Sequence, residues 1–168
     1  AEVVALDAKT GADITINAAT TLNGTLADVK AILAKGAGGT GIVNAAQDEV
    51  VNITDTTIDT EELLTVATGN GTGTSGAVNL TNVTTLKGEG GNIKTAIAGT
   101  IGSGNVTGAP ANVAVTISET IVSAQEISDI TNSVGIAAGG SAAITTGLVT
   151  IDQTVATSLK GDLHDIQH

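Results

Sequence analysis

The chain of 168 residues has no cysteine, phenylalanine, tyrosine, tryptophan, methionine or arginine, and its one proline is Pro110. Without cysteine there are no disulfides and no thiolate metal sites. Without aromatics the interior forgoes the roughly 150–250 Å² that each aromatic ring normally buries. Val, Ile, Leu and Ala must fill it instead, and such small side chains suit a narrow, regular interior better than a thick one. Sugar pockets that stack a ring on an aromatic are excluded as well. Without arginine the usual bidentate grip on phosphate is missing. No stretch approaches the ~18 apolar residues of a membrane span, and no signal peptide is visible. The lack of Met and a start at Ala1 lead us to expect a processed product or a fragment of a longer chain.

What is present is acidic and small. The net charge is −11, from 17 Asp and Glu against 6 Lys. That balance argues against nucleic acid and anionic membrane surfaces as partners. It suits solubility in salty water and loose binding of divalent cations. Hydrophobic residues reach 41% with 22 glycines, and the mean hydropathy of +0.31 argues against disorder.

The chain repeats itself. TTLNGTLADVKAILA (Thr20–Ala34) and TTLKGEGGNIKTAIA (Thr84–Ala98) align without a gap at a separation of 64 residues. VNITDT (Val51–Thr56) aligns with VTISET (Val115–Thr120) at the same separation of 64. VATSLKGDLHDI (Val155–Ile166) echoes VTTLKGEGGNI (Val83–Ile93) at a separation of 73, which implies an insertion in the Gly-rich stretch before it. Repeat units of about 1–66 and 67–130, with a partial unit over 131–168, follow as one repeat-built domain.

Each unit reads as two half-units. Alternating runs open them: DITIN (Asp13–Asn17), VVNIT (Val50–Thr54), AVNLT (Ala77–Thr81), NVAVTIS (Asn112–Ser118) and LVTID (Leu148–Asp152). Apolar residues at every second position predict half-buried strands. Thr25-x-x-Asp28, Asp59-x-x-Glu62 and Ser123-x-x-Glu126 predict helix starts by capping boxes. Helical spacing follows them: Leu26, Val29, Ile32 and Leu33, then Leu63, Leu64 and Val66, then Ile127 and Ile130. Gly clusters end the helices and turn the chain. The expected unit is strand, turn, short helix, Gly-rich turn, strand. One unit cannot bury both faces, whereas stacked units can. The predicted fold is mainly β, a right-handed parallel β-solenoid with short helices in the coils. The alternative is an Ig-like β-sandwich.

Chemical motifs are sparse. His164 and His168 are four apart, as in HExxH, but HDIQH puts Asp165 where the general base belongs and offers no third ligand. A terminal helix explains them better. Asp55, Asp59, Glu61 and Glu62 are the candidate Ca²⁺ ligands, hard oxygens in one short stretch. Two of them also serve as capping residues, and neither an EF-hand loop nor a GGxGxDxUx nonapeptide is present. Cation bridging between neighbouring molecules fits better than a caged ion. GAGGTG (Gly36–Gly41) follows a helix, the wrong order for a dinucleotide fingerprint, and GNGTGTSG (Gly69–Gly76) lacks GK[ST]. No Ser sits in GxSxG. The chain is therefore expected not to be an enzyme. Thr54–Thr56 (TDT) and Thr72–Thr74 (TGT) suggest a threonine ladder of the ice-binding kind, but the 64-residue partner of the first is SET.

AEVVALDAKTGADI (Ala1–Ile14), VNITDTTIDTEELLTV (Val51–Val66) and VTISETIVSAQEISDIT (Val115–Thr131) resemble the tandem repeats of giant secreted surface proteins of Gram-negative bacteria and cyanobacteria, the S-layer and RTX-adhesin type. The resemblance is one of composition and rhythm. It implies an extracellular structural protein at the cell surface, exported by a type I route, with Ca²⁺ often governing folding or assembly. The expected function is self-association as a surface layer or fibre, or service as a rigid stalk. A ligand-binding adhesin or an ice-binding module is the competing expectation.

Overall fold

The computed structural model describes residues 5–6, 9–10, 12–15, 21–37, 42–43, 50–69, 77–101, 104–108, 113–131 and 148–161. Along these the elements run β1 (Ile14–Thr15), β2 (Thr21–Gly24), α1 (Leu26–Ala37), β3 (Ile42–Val43), β4 (Val50–Ile53), β5 (Thr57–Asp59) and α2 (Thr60–Gly69). The second half continues with β6 (Ala77–Asn79), β7 (Thr85–Gly88), α3 (Gly90–Ile97), β8 (Thr100–Ile101), β9 (Gly104–Thr107), β10 (Ala114–Ile117), β11 (Ile121–Ser123), α4 (Ala124–Thr131), β12 (Val149–Ile151) and β13 (Ser158–Lys160). Four helices share the fold with short strands, so the architecture is mixed α/β and not mainly β. All pairings among the described strands are parallel except β8 with β9. That rules out the antiparallel Ig-like sandwich, and no sheet closes into a barrel.

The strands form four sheets. Sheet A is β1-β3, sheet B is β2-β4-β6-β9-β8, sheet C is β5-β7-β10-β12 and sheet D is β11-β13. Each pass of the chain lays its strands beside those of the pass before. Parallel neighbours need a crossover connection, and the helices supply it. Alternation decides which side chains turn inward. Leu22, Val51, Val78 and Val106 follow one another across sheet B. Ile58, Leu86, Val115 and Val149 do the same across sheet C. All but Val149 are buried. The helices add Leu26, Val29, Ile32, Leu63, Val66, Ile93, Ile97 and Ile130 to the same aliphatic cluster. These are the positions that the 3.6-residue period selects. Each helix packs against the next, α1 on α2, α2 on α3 and α3 on α4.

The 64-residue echo is present in the pairing itself. Ile14 lies opposite Ile42 in sheet A, and 64 residues on Val78 lies opposite Val106 in sheet B. Leu22 lies opposite Val51 in sheet B, and Leu86 opposite Val115 in sheet C. With the longer offset of the third copy, Ile58 opposite Leu86 in sheet C becomes Val122 opposite Leu159 in sheet D. One repeat therefore moves every strand over by one sheet. The strand that leads into a helix shifts accordingly, from β2 in sheet B to β5 and β7 in sheet C to β11 in sheet D.

The third copy departs at one place. Asn79 accepts from the Thr81 N–H at 3.0 Å, and Asp152 accepts from the Thr154 N–H at 3.0 Å, so the same turn recurs. Aligned on that turn, Val78 corresponds to Ile151. Yet Val78 faces Val51, whereas Ile151 faces Ile117 and Val149 takes the place opposite Val115. The slip is two residues. An even slip keeps inward residues inward, whereas an odd one would turn them out.

Candidate functional site

The features that chemistry could use lie at the helix starts. There the first backbone N–H groups lack intrahelical partners and attract negative charge. The four expected Ca²⁺ ligands are all in this region, and each has a partner of its own. Asp55 Oδ2 accepts from the Leu26 N–H at 2.7 Å, so a carboxylate in the corner after β4 caps α1 of the preceding pass. Asp59 Oδ1 accepts from the Glu61 N–H at 2.9 Å and caps its own helix, α2. Glu62 Oε1 accepts from Lys30 Nζ on α1 at 3.2 Å. Glu61 Oε2 accepts from Asn92 Nδ2 on α3 at 3.4 Å. A Ca²⁺ cage needs six to eight oxygens converging at about 2.3–2.6 Å. These four carboxylates are engaged with four separate donors and do not fit one. Among the described residues no group of three or more His, Asp or Glu side chains converges as a metal-binding cluster.

The predicted capping boxes are half-built. Thr25 Oγ1 accepts from the Asp28 N–H at 3.1 Å, and the Thr25 hydroxyl in turn holds the Asp28 carboxyl below its ordinary range. The Ser123 N–H donates to Glu126 Oε2 at 3.2 Å, the reciprocal half of a box. Glu62, the expected partner of Asp59, turns to Lys30 instead.

Helix α3 is the case that sequence reasoning missed. It begins on Glu89-Gly90-Gly91-Asn92, where α1 has Thr25-Leu26-Ala27-Asp28, and Glu89 makes no side-chain cap. The cap comes from the next pass, where Glu119 Oε1 accepts from the Gly90 N–H at 3.2 Å. Glu119 is 64 residues after Asp55, and Gly90 is 64 after Leu26. The alignment of VNITDT with VTISET contained this signal, because it sets Asp55 against Glu119. Gly90 makes the approach possible: a Cβ there would lie 3.1 Å from Glu119 Oε1 and 3.4 Å from Glu126 Cδ. Burial pushes the Glu119 carboxyl up, the Gly90 N–H pulls it back, and the Glu126 and Glu89 charges raise it further.

A second close approach lies one strand earlier. Gly88 has φ +148°, and a Cβ on it would collide with Thr60 Oγ1. Thr60 is fully buried and its hydroxyl has no hydrogen-bond partner. We have no chemical role to assign to it.

Across the helical face Lys94 pairs with Asp129, whose carboxyl is lowered by Lys94 and then by Gln125. Lys87 reaches Asp152 at 3.4 Å. These pairs link successive passes and are exposed enough to contribute little individually. His164 and His168 lie outside the described residues, as do Thr72–Thr74 and most of the two Gly-rich clusters; Gly36, Ala37 and Gly69 close α1 and α2. Thr54–Thr56 forms the corner between β4 and β5. Among the described residues no helix is long and apolar enough to cross a membrane. No protein-family model, no curated protein and no solved structure matches the chain.

Proposed function

We propose that the chain is a non-enzymatic structural module of the cell exterior, a solenoid-like rod that serves in a self-associating surface layer or fibre or as a rigid stalk segment. The observation that carries this reading is the repeated pairing: one 64-residue operation advances each strand by one sheet, so Leu22–Val51 recurs as Leu86–Val115. A rule of that kind has no built-in end. It makes length and stiffness by adding passes, each of which is the packing partner of the next. The cross-pass caps at Asp55 and Glu119 and the bridges at Lys30 and Lys94 support the same reading, because they tie neighbouring passes and converge on no common centre. The scarcity of Lys and the absence of Arg leave few sites for trypsin-like proteases, which suits exposure outside the cell. Calcium enters this reading only as a bridge between molecules.

Small-angle scattering and negative-stain electron microscopy of the purified chain, with Ca²⁺ and then with a chelator, test it. The expected result is an elongated particle, and layers or filaments at high concentration. Loss of assembly on chelation would place divalent cations at the contacts. A spherical particle that never assembles in either condition would refute the reading.

A further inference from the structure

The two ends of the stack are unequal. At the C-terminal end Leu159 on β13 is 51% exposed, and Ile121, Leu148 and Val155 are exposed around it. A cleft of about 210 Å³ opens there, lined in part by Val122, Ile151, Ala156 and Leu159. The repeat says what such a surface meets elsewhere. β7 has the same place in the second unit as β13 in the third, and it has strands on both sides, β5 and β10. β13 pairs only with β11 among the described strands. Its other edge presents unpaired backbone groups beside an uncovered leucine, the arrangement that recruits another strand.

At the opposite end β2 is the first strand of sheet B and pairs only with β4 among the described strands. It carries the same short pattern, Thr21-Leu22-Asn23-Gly24 against Ser158-Leu159-Lys160-Gly161. In a stack of parallel strands the first and last edges are different surfaces of matching polarity. Their union is heterologous and does not close, so it builds a filament.

We propose that the free edge of β13 receives strand β2 of a second copy of this chain, with Ser158, Leu159 and Lys160 paired in parallel with Thr21, Leu22 and Asn23. Copies thereby join head to tail, continuing the pairing that already links successive passes. The proposal rests on the structural reading above and specifies its contact. Each copy carries a net charge of −11, so association strengthens as salt screens the repulsion.

Because the chain has no cysteine, single substitutions report the contact cleanly. Thr21→Cys and Ser158→Cys, made as separate proteins, are mixed and oxidised. The expected product is the mixed disulfide dimer, with either protein alone giving few cross-links. Sedimentation velocity of the unmodified chain should show concentration-dependent association, stronger at high salt. Leu159→Asp should weaken it at least ~10-fold by burying an unpaired charge, while circular dichroism stays that of the parent. A monomer at every concentration and salt, or cross-links only between identical variants, would overturn the proposal. An elongated monomer would do so while leaving the stalk reading intact; a compact one would remove both.

Discussion

Thr85–Gly88 reads TLKG and Ser158–Gly161 reads SLKG, yet the two stretches sit at different depths. Leu86 has no exposed surface and Leu159 is 51% exposed. Each leucine faces a buried aliphatic residue on one side, Ile58 for Leu86 and Val122 for Leu159. The difference is the other side, where β10 lays Val115 against Leu86 and no described strand lies against Leu159. Burial here is a property of position in the stack rather than of the residue or its local sequence. The flanks follow suit. Leu80 and Val83 are fully buried beside β7, and at the matching places the chain has Gln153, exposed, and Ala156, half-buried.

The largest expected effect separates the two leucines. Leu86→Ala should cost about 2–5 kcal/mol of stability, as for a fully buried leucine. Leu159→Ala should stay within about 0.5 kcal/mol in the dilute chain. Denaturant midpoints at constant m measure both, and equal losses would dissolve the comparison.

The glycines come next. Gly88→Ala must strain a backbone at φ +148° and displace Thr60, a loss of about 1–3 kcal/mol. Gly161, exposed at the end of β13, should accept alanine with a change of no more than about 0.5 kcal/mol.

The two cross-pass caps sharpen the comparison between units. Glu119→Ala should destabilise by about 1–2 kcal/mol, because α3 has no cap of its own. Asp55→Ala should cost less, about 0.5–1 kcal/mol, because Thr25 still caps α1. Thermal melts of both variants under one condition decide the order.

Acid should act on the units with opposite signs. The carboxyls of Asp28, Asp129 and Asp152 are held below 3.8 by Thr25, Lys94 and Thr154 respectively. Their contribution is present above 3.8 and lost as pH falls through their folded values. Glu119 is raised above 4.5. Its contribution is full below 4.5 and is lost as pH rises through its folded value. On acidification from neutrality the chain should first gain from Glu119 and then lose from the aspartates. In Glu119→Gln the early gain should vanish from the stability–pH curve and the later loss remain. The smallest effect belongs to Thr60→Val, which removes a buried hydroxyl without a partner and should be neutral or slightly stabilising by melting temperature.

The opening strand of each half-unit was legible in the sequence. Val51 and Ile53, and Val113, Val115 and Ile117, alternate over enough residues to reveal a buried face, and all five are buried. The helices at Leu26, Thr60 and Ala124 were legible from their caps. The second strand of each pass was not. β5, β7, β11 and β13 are three or four residues long with one inward apolar side chain between glycines or caps, and no period can be read from so little. Their weight in the fold made it mixed α/β with two strands per pass where one was expected. The shift from sheet to sheet was hidden too, because pairing partners lie some thirty residues apart (Leu22 and Val51) and only the register exposes it. At the candidate site, clustering along the sequence misled. Asp55, Asp59, Glu61 and Glu62 are neighbours in the chain, but the turn and helix aim them at α1, α2 and α3 separately.

Amide hydrogen exchange on the dilute chain, resolved to β7 and β13, tests the central claim most directly. Exchange protection follows how deeply a strand is covered. The account predicts that amides of Thr85–Gly88 exchange only through global unfolding, while those of Ser158–Lys160 exchange orders of magnitude faster and slow down as concentration rises. Equal protection of the two strands in the dilute monomer would contradict it.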